Sequence, residues 1–401
     1  MVAVNLCRLC LVAIFVVIAV YSRTMSRTTM KGYNETIIKG YSKMTMKGYR
    51  ELISTPPSSC DLFSGKWVYD NSTNPLYSWK QCSFWNDWYT CEKHGRKDVT
   101  YQNWKWQPEQ CDLPRFNAEA FLERLRGKRM VYVGDSMSTN QWASMVCMVE
   151  SVIPSALKSM HSNGSLMIFK AIEFNATIER YWAPFLVESN ADNPVYHRVP
   201  HRIVRVGAIE KHAIHWSDAD ILVFDSYLWW KDPELELLPN VGIYKDLGML
   251  GKFEVGLKTW SNWLENHINL TKTQLFFNSI TPVHARAGEW GKNKEGNCYN
   301  ETEPILQEHY WGQWTSTEFM KALESTVDEL KHKGVDVKIL NITQLSEYRK
   351  EAHTSVYKKI WDTSTPVKIS DPVSYSDCHH WCLPGVPDTW NELLYAYILP
   401  K

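Results

Sequence analysis

Three side chains at two distant places in the chain have the types and neighbours that acyl transfer needs. The first place is Met130-Val131-Tyr132-Val133-Gly134-Asp135-Ser136, opened by Lys128-Arg129. A run of β-formers closed by Gly-Asp-Ser predicts a buried strand that ends in a tight turn and feeds a helix from Ser138 to Met148. Such a turn offers Ser136 at the carboxyl edge of a sheet, where open α/β sheets hold their ligands. The second place is Asp377-Cys378-His379-His380-Trp381-Cys382-Leu383-Pro384-Gly385-Val386-Pro387-Asp388. A hydroxyl is a weak nucleophile until an imidazole takes its proton, and the imidazole needs a carboxylate to hold its tautomer. Asp377 and His380 are three residues apart, so one helical or 3₁₀ turn would place both on the same face. Gly-Asp-Ser alone is a common loop tripeptide. Joined to the Asp377–His380 pair it spells a Ser-His-Asp triad. Cys378, His379, His380 and Cys382 also have the types of zinc ligands. Adjacent residues seldom converge on one tetrahedral ion, however, and no second cysteine pair has zinc-finger spacing, so no metal is expected.

The elements that must position this triad alternate. Asn117 caps a helix running to Arg126; after the Ser136 strand and its helix come a strand over Asp220 to Asp225, a helix near Glu254 to His267 and a strand over Gln274 to Ile280. A well-patterned helix from Thr317 to Lys333 stops at Gly334, and Val335 to Leu340 forms the next strand. Strands separated by helices predict an α/β fold with a mostly parallel sheet and flanking helices. No Gly-x-Ser-x-Gly elbow, Gly-x-Gly-x-x-Gly fingerprint or Walker loop occurs.

Ahead of this core, Cys60 to Cys111 is rich in cysteine, aromatics and turn residues, which reads as a loop-rich module stapled by disulfides. We divide the chain into a short cytoplasmic tail (1–8), a signal-anchor helix (9–21), a flexible lumenal stem (22–55) and a catalytic domain (56–401). The last comprises the Cys/Trp-rich module (56–115) and the α/β core (116–401). The unbroken apolar run 9–21 is short for a spanning helix, but Arg8 can snorkel and a thin early-secretory bilayer lowers the required length. No small-x-small cleavage site follows it, which disfavours a cleaved signal peptide. The stem carries Lys-Gly-Tyr at Lys31, Lys39 and Lys47, a polar unit that cannot bury a core. Arg23, Arg27 and Lys31 would bias topology the other way. Seven Asn-x-Ser/Thr sequons, at Asn34, Asn71, Asn163, Asn175, Asn269, Asn300 and Asn341, and eight cysteines beyond the apolar run nevertheless predict a lumenal, oxidising home for the domain. Cys7 and Cys10, at the membrane, suit acylation better than redox chemistry.

Lys+Arg and Asp+Glu balance at 44 each, so nothing advertises nucleic acid as a partner. The 19 tryptophans exceed what ordinary core packing suggests. Tryptophan and tyrosine faces also stack on sugars, so a carbohydrate groove is carried forward.

Cys60-Asp61-Leu62-Phe63-Ser64-Gly65-Lys66-Trp67-Val68, His94-Gly95-Arg96-Lys97-Asp98, Trp104-Lys105-Trp106-Gln107-Pro108, Gly134-Asp135-Ser136, Tyr227-Leu228-Trp229-Trp230 and the Asp377 to Asp388 run together resemble the plant trichome-birefringence-like family of polysaccharide O-acetyltransferases. The resemblance runs from Cys60 to the C-terminus. It implies an SGNH-hydrolase-like fold, Ser136, His380 and Asp377 as the catalytic triad, and a Golgi membrane, single-pass type II setting. Asn175 to Glu179, Tyr181 to Pro184, Leu186 to Asn190 and Tyr227 to Trp230 resemble the xylan-acting branch. The activity implied is transfer of acetyl to xylosyl hydroxyls (2-O and/or 3-O), with acetyl-CoA or a derived acetyl carrier as donor substrate and no bound cofactor. A polysaccharide acetyl esterase and a non-catalytic glycan-binding protein are the alternatives.

Two positions depart from the family pattern. Thr139 stands where members usually carry arginine, and Asp225 where they usually carry asparagine. An asparagine amide can donate to an oxyanion, whereas a carboxylate cannot unless protonated. For the oxyanion site we mark Gly134, Asn140 and Asp225, together with the Ser136 N–H. For substrate binding we mark Arg96, Trp229, Trp230 and His284, each with a plain structural reading as core or buried support. Eight cysteines allow 105 connectivities, among which the sequence does not choose. The pairing we expect is Cys60–Cys111, Cys82–Cys147, Cys91–Cys382 and Cys298–Cys378, which would clamp the His380 loop on both sides.

Overall fold

The computed structural model describes residues 60–84, 88–239, 244, 246–292, 295–359 and 371–399. The apolar run 9–21, the stem 22–55 and the Asn34 sequon lie outside them. No helix among the described residues is long and apolar enough to cross a membrane.

A seven-stranded sheet organises the domain. Its order is Val337–Leu340, Gln274–Asn278, Ile221–Asp225, Arg129–Gly134, Ala176–Trp182, Leu166–Ala171, Lys158–Asn163. The first five run parallel and the last two fold back as an antiparallel hairpin. The strand leading to Ser136 is central, and every residue of it after Arg129 is buried. A parallel strand covered on both faces needs this kind of continuous apolar run.

One face is aromatic. Phe224 and Phe277 lie 5.4 and 5.1 Å from the Trp260 ring, on helix Met249–His267. Phe253 of that helix meets Phe319 of helix Thr317–His332 at 5.2 Å. The other face carries helices Ser136–Glu150 and Val386–Ile398, joined by buried polar contacts. Asn391 Nδ2 donates to Gln141 O and to Ser144 Oγ, both at 2.9 Å, while its Oδ1 accepts from Tyr132 Oη at 3.0 Å. Ser144 and Tyr77 hydroxyls both donate to Asp388 Oδ1. A buried polar group without a partner costs about 1–3 kcal/mol, so this network pins the register of the two helices.

The helices and strands expected from the sequence are observed to within a few residues, and others are added, among them helix Val386–Ile398, strand Asp377–Trp381 and strand Ala176–Trp182 with its hairpin. Strand Ala176–Trp182 and the hairpin behind it lacked a clear period-two pattern, because residues 178–182 are buried on both faces. The helix after Ser136 starts at Ser136 itself, because Asp135 caps it by accepting from Met137 N at 2.8 Å.

All four disulfides join the expected cysteines: Cys60–Cys111, Cys82–Cys147, Cys91–Cys382 and Cys298–Cys378. The Cys/Trp-rich module pairs strand Gly65–Tyr69 antiparallel with Trp104–Pro108 and belongs to the same compact unit, Thr55–Lys401, as the core. Its bonds from Cys82 to the Ser136 helix and from Cys91 to the His380 loop brace both halves of the site. Of the sequons, Asn71, Asn163, Asn175, Asn269 and Asn300 are exposed and Asn341 is half-buried.

Candidate active site

Gly134 ends its strand beside Asp225, its register partner. A Cβ on Gly134 would lie 2.0 Å from the Asp225 carbonyl oxygen, so only glycine lets the two strand ends converge. The chain then turns through Asp135 into the helix that Ser136 begins. Tyr89, from the N-terminal module, donates its hydroxyl to the Ser136 carbonyl at 3.0 Å, and its ring centre lies 5.6 Å from that of His380.

Asp377 and His380 do not sit on a helical turn, as their spacing had suggested. They lie on strand Asp377–Trp381, antiparallel to His353–Ser355. Strand geometry would send residues three apart to opposite faces. The pairing shifts, however, between Ser355↔Asp377 and His353↔Trp381, so two extra residues bulge on the 377–381 side. Asp377 Oδ1 accepts the N–H groups of His379 and His380 at 3.1 Å each, and this local turn brings His380 Nδ1 to 2.8 Å from Asp377 Oδ2. The two side chains keep 23 and 19 % exposure.

Charge follows geometry. Burial pushes the Asp377 carboxyl up, but the facing imidazole and the neighbouring Lys358 outweigh it and hold the group well below the usual carboxylate range. Burial likewise depresses His380, and the Asp377 carboxylate overrides that and raises it. With Nδ1–H donated to Asp377, Nε2 carries the lone pair, and that atom has no hydrogen-bond partner among the described residues. A base must be neutral to accept a proton. We therefore expect kcat/KM to fall as pH drops through an inflection above the ordinary imidazole value of 6.5, read from a pH–rate profile. An inflection below that value would show that Asp377 does not support His380.

Asn140 ties the helix that Ser136 begins to the strand that carries His380. Its Oδ1 accepts from Trp381 N at 2.8 Å and its Nδ2 donates to Trp381 O at 3.2 Å. Its amide oxygen and one of its two N–H groups are thus engaged one residue past His380. The substrate role expected of His284 is corrected. It is buried and held neutral by burial, its pKa lowered to about 4. Its Nδ1 lies 2.7 Å from His353 Nε2, and His353 Nδ1 lies 3.1 Å from the His380 carbonyl, so the histidine pair supports the strand from behind. Arg96, expected to contact substrate, is buried instead. It donates to His353 O and Glu351 O at 3.0 and 2.7 Å and lies over Tyr101.

Trp229 and Trp230 are not glycan platforms. Trp230 is buried, donates to Ser226 Oγ at 2.9 Å, and packs so closely that a Cβ on Gly256 would strike its ring. Trp229 packs edge-on against Trp182 and Phe185, and Arg202 lies over its face at 4.3 Å. The zinc alternative fails because Cys378 and Cys382 are both disulfide-bonded.

Asp225 and Asp135 form the least expected part of the site. Asn278 Nδ2 donates to Asp225 Oδ2 at 3.2 Å, and Asp135 Oδ2 is buried without a partner. Burial and the nearby Asp135 raise Asp225 well above the usual carboxylate range, and burial raises Asp135 to about 6. Burial thus favours the protonated form of Asp225, the only form in which a carboxyl can donate. Tyr89 and Asn278 escaped the sequence reading because neither lies in a motif that carries chemistry.

This architecture matches the family model described as the GDSL/SGNH-like acyl-esterase family found in Pmr5 and Cas1p, over residues 113–397. The chain belongs to this acyl-esterase family. The preceding module, residues 58–112, matches the PMR5 N terminal domain. Among curated relatives, protein trichome birefringence-like 34 of Arabidopsis thaliana is 56% identical over 348 residues, covering 85% of each chain. Xylan O-acetyltransferase 13 of Oryza sativa subsp. japonica is 50% identical over 351 residues, 85% of this chain and 70% of its own length. Xylan O-acetyltransferase 14 of the same plant is 46% identical over 371 residues, 86% of this chain and 78% of its own. The Gly-Asp-Ser turn and the Asp377–His380 pair both lie within the range matched by this acyl-esterase family.

Proposed function

We propose that the protein is a xylan O-acetyltransferase of the Golgi lumen, anchored by residues 9–21, that works through an acyl-serine. His380 Nε2 takes the Ser136 hydroxyl proton as Oγ attacks the acetyl carbonyl of the donor. The tetrahedral intermediate collapses, the donor's leaving group departs with that proton, and acetyl-serine remains. A xylosyl hydroxyl then attacks the acetyl carbon and gives its proton to His380, which returns it to Ser136. Acetyl-CoA or a carrier derived from it supplies the acetyl group. The observation that carries this reading is the 2.8 Å Asp377–His380 bond, with Nε2 unpartnered, on the strand that Asn140 joins to the Ser136 helix. The xylan acceptor rests on the similarity to the rice xylan O-acetyltransferases.

The test is to incubate the full-length chain with acetyl-CoA and xylo-oligosaccharides and follow acetylated sugar by mass spectrometry, with Ser136→Ala alongside. Product from the wild type alone supports transfer through Ser136. Free acetate without acetyl-sugar would establish an esterase instead.

In this scheme the backbone N–H of Ser136 and the Asp225 side chain, whose carboxyl burial raises well above its ordinary range, serve the oxyanion. Asp225→Asn puts a neutral amide donor of similar shape in that place. We expect kcat/KM within about threefold of wild type, whereas Asp225→Leu loses roughly a hundredfold. A large gain in Asp225→Asn would mean that the native side chain is charged.

A further inference from the structure

Arg180 stands out among the buried cations. Arg96 and Arg349 are equally buried, but each is matched. Arg96 meets two backbone carbonyls and Asp98, and Arg349 meets the Glu351 carboxylate and the Tyr101 carbonyl. Arg180 is 7 % exposed and has no carboxylate partner among the described residues. Its Nε is unpartnered, and its one hydrogen bond, from Nη1, is 3.5 Å long. The acceptor, Ser165 O, already takes the Trp182 N–H at 2.9 Å. A guanidinium buried with one long hydrogen bond and an unpartnered Nε is costly to keep charged unless an anion arrives.

The side chain leans toward the active site. Arg180 Cζ lies 5.6 Å from the ring of Trp182, two residues nearer the carboxyl edge of the same strand. Trp182 is the register partner of Gly134, where the Ser136 turn begins. The Tyr89 hydroxyl, bonded to the Ser136 carbonyl, feels the charges of both Asp377 and Arg180. Beyond Trp182, burial and the charges of Arg198, Arg202 and Arg180 together lower His197. Among the described residues only Arg202 of those three guanidinium groups has a carboxylate partner, Asp232 at 2.8 Å. Positive charge is thus gathered around His197 and Trp182, the latter being the register partner of Gly134.

We propose that Arg180 is the centre of an anion subsite that holds a carboxylate or phosphate carried by one of the two substrates. The inference rests on the acetyltransferase reading for the identity of those substrates. A xylosyl hydroxyl and an acetyl group are both neutral, so the anion lies elsewhere on the molecule. It is either a phosphate of a nucleotide-type donor or a uronic acid branch on the acceptor. Both present the planar or tetrahedral oxygens that a guanidinium fork grips.

Binding, not turnover, tests this, so that a failure of the transfer mechanism does not count against it. The full-length chain carrying Ser136→Ala is titrated calorimetrically with coenzyme A, with a neutral xylo-oligosaccharide, and with the same oligosaccharide bearing a uronic acid branch. Adding Arg180→Gln is expected to weaken one of the two anionic probes by about 10- to 100-fold, with Arg180→Lys in between and the neutral sugar unchanged. Loss confined to coenzyme A assigns the subsite to donor phosphates. Loss confined to the branched sugar assigns it to the acceptor. Equal affinity for both anions with and without Arg180, or a parallel loss for the neutral sugar, overturns the proposal. Should Arg180→Gln not fold, inorganic phosphate must displace one anionic probe, and not the neutral sugar, from the Arg180 protein; failure to displace overturns it equally.

Discussion

Asp377→Asn should lower kcat by roughly 10³- to 10⁴-fold while leaving the fold intact. The expectation comes from what the carboxylate does at each of its oxygens. Oδ2 holds His380 Nδ1 at 2.8 Å and Oδ1 caps the His379 and His380 N–H groups. An asparagine oxygen can replace one of these acceptors, not both, and its amide N–H would favour the opposite imidazole tautomer. His380 would also lose the charge that raises it above the usual imidazole range. The variant should therefore fail in chemistry, with KM for the acetylated donor little changed and the acid inflection of any residual rate moved down. A loss under tenfold would mean that His380 is oriented by something else, for which His353, bonded to its carbonyl, is the nearest candidate.

Gly134→Ala should damage both stability and activity. The new Cβ would meet the Asp225 carbonyl oxygen at 2.0 Å, carbonyl carbon at 3.0 Å and Ser138 Cβ at 3.0 Å; the first two are backbone and the third is in the first turn of the helix. A rigid backbone atom cannot yield as the tip of a flexible side chain does. Overpacking of this kind costs about 1–3 kcal/mol. Relief requires the Ser136 turn to lift away from the neighbouring strand. Melting temperature should fall by several degrees, and the activity that survives should be lower than the folded fraction explains. An alanine variant with wild-type melting and turnover would show that the two strand ends lie farther apart than described.

How much of this was legible beforehand follows from where the information sits in the chain. The strand before Ser136 could be read because it is buried on both faces and therefore nearly continuous in apolar residues. Helix Thr317–His332 was equally plain, with one buried stripe and one solvated face. The Asp377–His380 pair was legible because its members are three residues apart, and the place of Ser136 because it follows the end of a strand. The local shape of that pair was not. A two-residue bulge against His353–Ser355 is set by Asn140, Arg96 and His353, all far away in sequence. The same long-range origin explains why Arg96 and His284 were given substrate roles, although each supports the strand from behind. Arg180 was invisible for a different reason. Its meaning lies in the partners it lacks, and sequence displays residues, not vacant hydrogen bonds.

The central claim is that acetyl passes through Ser136. The most direct measurement is to mix the full-length chain with acetyl-CoA in the absence of acceptor, quench within seconds, and read the peptide that carries Ser136 by mass spectrometry. We predict one added acetyl group on Ser136, absent in Ser136→Ala and discharged onto sugar when xylo-oligosaccharide is added before quenching. Acetylated sugar formed at wild-type rate by Ser136→Ala would contradict the account.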